Sequence, residues 1–364
     1  MKERRIRVLE LSGLPYAMGF EHGERFAEDI RAFAEDRVRL AGGPEWSGRA
    51  LAREAVLKLA EACLAEHRRY APNLVEEVQG MADATGLGLA ELIVVNGFTD
   101  FVDTVYSAAR EKPRFAAPAL ADNCTAFIVP DRRAALGQGL YGQTWDMHDS
   151  ATPHVVLLRG APEGQPRFLA LTTVGCVGMI GMNEAGVAVG INNLLGADGQ
   201  VGVTWPFVVR KILEQADLEA ALACITEAKL AGAHNYLLFD ATGRGYNVEA
   251  MASAHHITEV GDEALVHTNH CLSQVAVALE REREAASQEN SEARLKTARA
   301  YLSKNGVTPE DAQELTRERS AICRQPSGPN EVATCGAAVM RPKTREFWAV
   351  WGLPSENAYE RFTV

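Results

Sequence analysis

Apolar residues recur at helical spacing in the first third of the chain and at a spacing of two after residue 123. The spacing of Phe26, Ile30 and Phe33 is typical of an amphipathic helix. After a first strand at about Arg4 to Leu11, the pattern predicts helices over Tyr16–Leu40, Arg49–Tyr70, Pro72 to about Gly86, and Leu89–Asn96. We therefore expect residues 1–123 to be a mainly helical segment that covers a core formed by the rest of the chain.

The alternating pattern after residue 123 predicts a β-rich core. Strands are expected near 124–129, 138–147, 154–159, 167–174, 186–192 and 265–270, with hairpins over 234–251 and around Lys343 and Thr344. Helices are expected over Pro206–Glu214, Leu218–Ala228 and Glu280–Tyr301. Runs of strands that alternate with runs of helices imply layers of sheet and helix, which is an α+β architecture.

Cys124 lies at the junction between these two parts. An Ala- and Pro-rich connector (107–123) without apolar periodicity precedes it. Cys124 opens the predicted strand 124–129, and the following predicted strand, 138–147, carries Asp146. Two antiparallel neighbours would place that carboxylate near the thiol. Cutting the Asn123–Cys124 bond would give Cys124 a free α-amine, and an amine beside a nucleophile is one way to activate it. The alternative from the residues alone is a buried structural thiol.

Composition and charge exclude some classes of partner. The chain has 364 residues, 47% of them hydrophobic, a formal net charge of -11 and a pI of about 5.4. Binding to nucleic acid or an anionic membrane relies on clustered cations, and Lys and Arg are scattered here. With no apolar signal region and no run long enough to span a membrane, we expect a cytoplasmic protein.

The seven cysteines indicate neither a disulfide framework nor a zinc site, because their number is odd and no short paired spacing occurs. His267, His270 and Cys271 are crowded at one strand end without a second ligand pair elsewhere. We therefore expect no metal and no cofactor.

Five short motifs occur in a fixed order along the chain. They are Cys-Thr at 124–125, Gly-Gln-Thr-Trp-Asp at 142–146, Gly-Ile-Asn at 190–192, His-Asn-Tyr-Leu at 234–237 and His-Thr-Asn-His at 267–270. In this order the chain resembles the autoproteolytic acyltransferases of the N-terminal-nucleophile hydrolase superfamily, typified by acyl-coenzyme A:isopenicillin N acyltransferase and related to penicillin V acylase and bile-salt hydrolase. The resemblance covers nearly the whole chain. Gln143 stands where the hydrolase relatives have Arg, which favours the acyltransferase branch.

The resemblance implies a four-layer αββα sandwich of the N-terminal-nucleophile type with a helical N-terminal segment. It also implies that a zymogen is cut between Asn123 and Cys124, giving an α fragment of 1–123 and a β fragment of 124–364. The catalytic residues that match the family are Cys124 as nucleophile, Asp146 to orient the new ammonium, Asn192 and Asn269 as oxyanion donors, and Arg294. Without the resemblance, each residue has a structural interpretation instead. Asp146 would cap a strand, Asn192 and Asn269 would be turn residues, and Arg294 would be a solvated charge on a helix.

Candidate residues for a substrate pocket are apolar or amide side chains near these motifs, although core packing explains them equally well: Trp145, Met147, Asn235 and Trp205. The expected reaction is hydrolysis of a carbon–nitrogen amide bond in a small N-acyl amine or amino-acid conjugate, through a Cys124 thioester. The alternatives are transfer of an acyl group from acyl-coenzyme A to a small amine and, from another class, a non-catalytic binding protein of the same fold. Homo-oligomerisation stays open.

Overall fold

The computed structural model describes residues 5–44, 49–108, 124–326 and 332–364. Within these ranges, the helices that follow the first strand in the N-terminal part are α1 (Pro15–Arg25), α2 (Ala27–Ala41), α3 (Arg53–Tyr70), α4 (Pro72–Thr85), α5 (Leu89–Val95) and α6 (Phe98–Ala108). Five more follow in the second part: α7 (Trp205–Ile212), α8 (Leu218–Thr226), α9 (Gln274–Val277), α10 (Ala285–Tyr301) and α11 (Pro309–Thr316). Pro72 opens α4 and Gly86 ends it in the left-handed conformation (φ 73°), as the sequence predicts.

The strands form two sheets. They are β1 (Arg7–Gly13), β2 (Ala126–Val129), β3 (Leu140–His148), β4 (Val155–Pro162), β5 (Phe168–Thr173), β6 (Ile180–Asn183), β7 (Ala188–Asn193), β8 (His234–Phe239), β9 (Gly245–Ala250), β10 (His255–Glu259), β11 (Leu265–His267), β12 (Val332–Arg341), β13 (Glu346–Trp351) and β14 (Glu360–Thr363). The first sheet has eight strands in the order β1-β4-β5-β6-β7-β8-β9-β10. The second has six, in the order β11-β2-β3-β12-β13-β14.

The two sheets pack face to face between layers of helices. A Cβ added to Gly190 of the first sheet would meet the Tyr141 hydroxyl and the Gln143 side chain of the second sheet. On the outer side of the first sheet, α7 contacts β7 and α8 contacts β8. On the outer side of the second sheet, Phe127 and Leu140 share an apolar cluster with residues of α10 and α11. The predicted four-layer αββα sandwich is confirmed.

The N-terminal part is joined to this sandwich through both strand and helix. β1 pairs in parallel with β4, so a strand from before residue 123 belongs to the first sheet. Helix α4 meets α7 through an ion pair between Glu77 and Arg210 (3.4 Å), whose side chains are both buried. The segment is mainly helical, as predicted, and it also completes the sheet.

The structure differs from the sequence prediction at several elements. The predicted helix over Tyr16–Leu40 is two helices, because Phe26 leaves helical geometry (φ −126°, ψ 28°). The apolar spacing continues across this break, since α2 begins at the next residue. Strands β6 and β10 were missed because β6 has four residues without alternation and all five residues of β10 are exposed.

No single helix among the described residues is long and apolar enough to cross a membrane, although α4 and α5, bent by 113° at their junction, pass that test of length and composition as a pair.

Candidate active site

Cys124 lies two residues before the start of β2 with its thiol buried; 4% of the residue is exposed. β2 and β3 are antiparallel, and the register brings Thr125 opposite Thr144, whose amides bond to each other's oxygens. This places Asp146 at Cys124: the Asp146 amide donates to Cys124 Sγ at 3.4 Å. The structure thus brings together the two residues that the sequence expected to be neighbours.

The Asp146 carboxylate is fully buried, and neither of its oxygens has a partner in full hydrogen-bond geometry among the residues that the structure describes. Burial raises the pKa of Asp146 to about 7, against the charge of Arg294, the Thr334 hydroxyl, the charge of Arg324 and the Thr144 hydroxyl. Burying a carboxylate whose hydrogen bonding is incomplete costs free energy. The carboxylate therefore has acceptor capacity that the described residues leave unused.

Two side chains converge on the carbonyl oxygen of Cys124. Arg294 Nη1 donates to it at 2.7 Å, and Asn192 Nδ2 donates at 3.1 Å. Arg294 comes from α10 with 1% of its side chain exposed. Its interpretation as a solvated helix charge is therefore wrong, because the guanidinium points into the sandwich.

Asn269 joins the same group through Arg294. Its Oδ1 accepts from Arg294 Nη2 at 3.0 Å, while its Nδ2 donates to the Asn193 carbonyl at 3.0 Å. Its backbone amide donates to Ser291 Oγ at 3.0 Å, and its carbonyl accepts from Arg283. In this state the amide nitrogen of Asn269 faces the end of β7 rather than Cys124.

Glu249 holds the segment that carries Asn269, and the sequence did not single it out. Its carboxylate lies 2.9 Å from His267 Nε2 and accepts the amides of Leu272 and Ser273 at 2.5 and 2.7 Å. Burial alone would raise the pKa of Glu249, but the hydrogen bonds and charge of His267 and the Ser273 bond lower it to about 2. His267 Nδ1 lies 2.8 Å from the Thr268 carbonyl, so both ring nitrogens face oxygen atoms.

No group of three or more His, Cys, Asp or Glu side chains within the described ranges is arranged to hold a metal ion. The crowded histidines instead bond inside the protein, His267 to Glu249 and His270 to Ser291 Oγ at 2.7 Å. All seven cysteines are free thiols, and all are buried.

The pocket candidates fall on different sides of the sheets. Trp145 and Met147 alternate along β3 with Asp146 and lie on the side of Gln143, which donates to the Ile191 carbonyl of the facing sheet. Trp205 opens α7, where Nε1 donates to Thr99 Oγ1 at 3.1 Å and the ring lies 5.6 Å from that of His234. It packs on the helix side of the first sheet, and its role in a pocket stays a prediction.

Asn235 lies directly across from Asn192 in the pairing of β7 with β8 and is fully buried. Asn123 and residues 109–122 of the predicted connector lie outside the described residues, so the predicted cut site has no structural description.

Comparison with known proteins places the chain in a family. The sequence model described as Acyl-coenzyme A:6-aminopenicillanic acid acyl-transferase matches residues 134–356, a range that includes Asp146, Asn192, Asn269 and Arg294 and begins ten residues after Cys124. The acyl-coenzyme A:6-aminopenicillanic-acid-acyltransferase 40 kDa form of Emericella nidulans is 24% identical over 263 residues, covering 71% of this chain and 68% of that protein. An uncharacterised protein of Archaeoglobus fulgidus is 25% identical over 265 residues, covering 65% of this chain and 42% of that protein.

Solved structures were also compared. A variant of the conjugated bile acid hydrolase from Clostridium perfringens matches with a TM-score of 0.44 and 11% identity, over 66% of this chain and 97% of that one. Penicillin V acylase from Agrobacterium tumefaciens matches with a TM-score of 0.42 and 17% identity, over 63% and 83% of the two chains. The family match over more than half of the sequence is the decisive finding: the chain belongs to the acyl-coenzyme A:6-aminopenicillanic acid acyl-transferase family, whose members act on acyl–amide bonds.

Proposed function

We propose that this protein is a cysteine N-terminal-nucleophile amidohydrolase that cleaves a small N-acyl amide through a Cys124 thioester. The observation that carries the proposal is the convergence of Arg294 and Asn192 on the Cys124 carbonyl, beside the buried carboxylate of Asp146, whose oxygens lack a partner in full hydrogen-bond geometry among the described residues. Such donors hold the main chain of Cys124 in one orientation. A packed structural thiol would require neither a buried guanidinium nor a buried carboxylate next to it.

The proposal includes a self-cleavage that makes the nucleophile. Attack of the Cys124 thiol on the Asn123 carbonyl carbon would form a thioester and break the Asn123–Cys124 amide bond, which frees the Cys124 α-amine. Hydrolysis of that thioester would restore the thiol and leave fragments 1–123 and 124–364. An α-amine has an ordinary pKa of about 7.7 to 8.0, so it can accept the thiol proton near neutral pH. The ammonium formed in this way would donate a charge-assisted hydrogen bond to the buried Asp146 carboxylate.

The chemical step then follows from the groups present. Cys124 Sγ bonds to the substrate carbonyl carbon, the carbon–nitrogen bond breaks, and the amine leaves with the proton held by the α-amine. Asn192, Asn269 and the charge of Arg294 are the candidates for stabilising the oxyanion, with Asn269 turning from the Asn193 carbonyl. Water then attacks the thioester, releasing the acid and restoring the thiol.

Acyl transfer is the second candidate, because the family's printed description names an acyl-coenzyme A acyltransferase and Gln143 replaces the arginine of the hydrolase relatives. Gln143 is tied to the Ile191 carbonyl and the Tyr141 hydroxyl, so its amide stabilises the contact between the sheets. Both reactions use the same thioester. They differ only in whether an amine or water takes the acyl group.

Intact-mass spectrometry tests the self-cleavage. We expect two fragments that separate before Cys124 in the wild type, and an uncut 39.5 kDa chain in Cys124→Ala. Cys176→Ala, which removes another buried thiol, is the matched control and should be cut normally. A wild type that stays at 39.5 kDa, with Cys124 unreactive to substrate, would overturn the proposal.

A substrate panel then separates hydrolysis from transfer. N-acyl amines and N-acyl amino acids are incubated with and without acyl-coenzyme A donors, and the products are identified by mass. Release of free acid from an amide supports the hydrolase. Labelling of Cys124 by acyl-coenzyme A donors alone, with no amide ever cleaved, would replace it with the transferase.

A further inference from the structure

Asn235 in β8 is a fully buried side chain whose amide nitrogen and amide oxygen both lack a hydrogen-bond partner among the described residues. Buried amides are nearly always hydrogen-bonded, and each unsatisfied atom costs free energy. A leucine would fill a similar volume without that cost. The position therefore carries a polar group that the described part of the chain does not use.

The direction of this side chain follows from the sheet geometry. Gly190 of β7 faces Tyr141 and Gln143 of the second sheet, so Asn192, two residues further, points the same way and reaches the Cys124 carbonyl. Asn235 is the cross-strand partner of Asn192 and shares its face. Its Cβ lies about 5 Å from that of Asn192, as in any directly opposed antiparallel pair.

The same face continues onto the next strand. Glu249 is the partner of Asn235 in β9, so Asn192, Asn235 and Glu249 form a polar row across three strands. The outer members both hold the candidate catalytic group, Asn192 at Cys124 and Glu249 at the segment that carries Asn269. The middle member, Asn235, makes no side-chain hydrogen bond to any residue that the structure describes.

We propose that Asn235 binds the amine half of the substrate and selects N-acyl amino acids. A carboxamide offers one acceptor and one donor side by side. In an extended amino acid, the N–H and a carboxylate oxygen on the same α-carbon point to the same side. Oδ1 of Asn235 would accept the N–H of the scissile amide, and Nδ2 would donate to the carboxylate. This inference rests on the proposed function and adds the substrate class.

The test compares three substrates that share the acyl group turned over fastest by the wild type. They are the amide of that acyl group with glycine (the glycine amide), its ester with the hydroxyl of glycolate (the glycolate ester) and its amide with methylamine (the methylamide). The ester lacks the N–H and the methylamide lacks the carboxylate. In Asn235→Leu, we expect kcat/KM for the glycine amide to fall about tenfold relative to each of the other two, which is the loss expected for a hydrogen bond worth about 1.4 kcal/mol. The melting temperature should rise by about 2 °C or more, because two unsatisfied atoms are removed.

Tyr236→Phe is the matched control. Tyr236 is the next residue in β8, and its buried hydroxyl also lacks a hydrogen-bond partner within the described ranges, but it points to the helix side with His234. We expect this variant to keep the wild-type substrate preference. Should Asn235→Leu not fold, Asn235→Ala gives the same expected change in preference.

Three outcomes overturn the idea in different ways. If Asn235→Leu lowers kcat/KM equally for all three substrates and also lowers the melting temperature, Asn235 has a packing role. If the relative kcat/KM values of the three substrates stay as in the wild type, Asn235 does not recognise the amine half. A wild type that turns over none of the three while its Cys124 stays unreactive defeats the proposed function itself, and with it the inference.

Discussion

The buried carboxylate of Asp146 makes a prediction about stability that needs no substrate. The pKa of Asp146 rises from 3.8 to about 7 on burial, although Arg294 opposes the rise. The folded chain therefore favours the protonated acid. Its contribution to stability is complete below about pH 4 and is lost as the pH rises through about 7. A difference of about 3 between the two pKa values corresponds to about 4 kcal/mol.

The perturbation is Asp146→Asn in a Cys124→Ala background, which keeps the chain uncut and so keeps the α-amine away from the carboxylate. Urea unfolding is measured from pH 4 to pH 8 for the background and for the double variant. We expect the background to lose about 4 kcal/mol more than the double variant over this range. The absolute offset between the two is less informative, because a buried Asn amide carries its own cost.

Glu61→Gln in the same background is the control, because Glu61 is exposed on α3 and its replacement should leave the pH dependence unchanged. Parallel stability curves for the background and the Asp146 variant would refute the reasoning. They would mean that water or another protein group already satisfies the Asp146 carboxylate in the uncut chain, so that the ammonium of Cys124 is not needed to stabilise it.

Two further predictions concern the groups around Cys124. Arg294→Lys removes a guanidinium that donates to the Cys124 carbonyl and to Asn269 Oδ1 at once. At least one charged hydrogen bond is then lost, so kcat should fall by roughly tenfold to a hundredfold in steady-state assays. Wild-type turnover in this variant would show that a point charge is sufficient. Asn269→Ala should lower kcat about a hundredfold with little change in KM, since an oxyanion donor acts in the transition state; an equal effect on both constants would assign Asn269 to structure.

Much of the architecture could be predicted from periodicity and turn residues. The hairpin of β8 and β9, the start of α4 at Pro72 and the adjacency of Cys124 and Asp146 all follow from local pattern. The predicted helix from Glu280 begins only at Ala285, because a charged run has no apolar period to mark its start. The intervening loop brings Arg283 to the Asn269 carbonyl, a contact that no spacing rule anticipates.

The site was only partly readable for the same reason. Asn192 and Arg294 were identified through the resemblance, and their contacts with Cys124 join parts of the chain separated by 68 and 170 positions. Glu249 reads as an ordinary polar residue of an alternating strand, and its partners are His267 at the end of β11 and the amides of the loop that follows. The place of Trp205 was not readable from the sequence, because both faces of the first sheet are buried and apolar character does not choose between them.

The parallel pairing of β1 with β4 also constrains the order of events in the life of the chain. Arg7 pairs with Val156, so about 150 residues must be synthesised before the first strand finds its neighbour. A fragment ending at residue 123 would carry β1 with no strand to join, and the remainder would present β4 as a bare sheet edge open to aggregation. The proposed cut therefore has to come after folding, and the two pieces should stay together afterwards as one inseparable, noncovalent body.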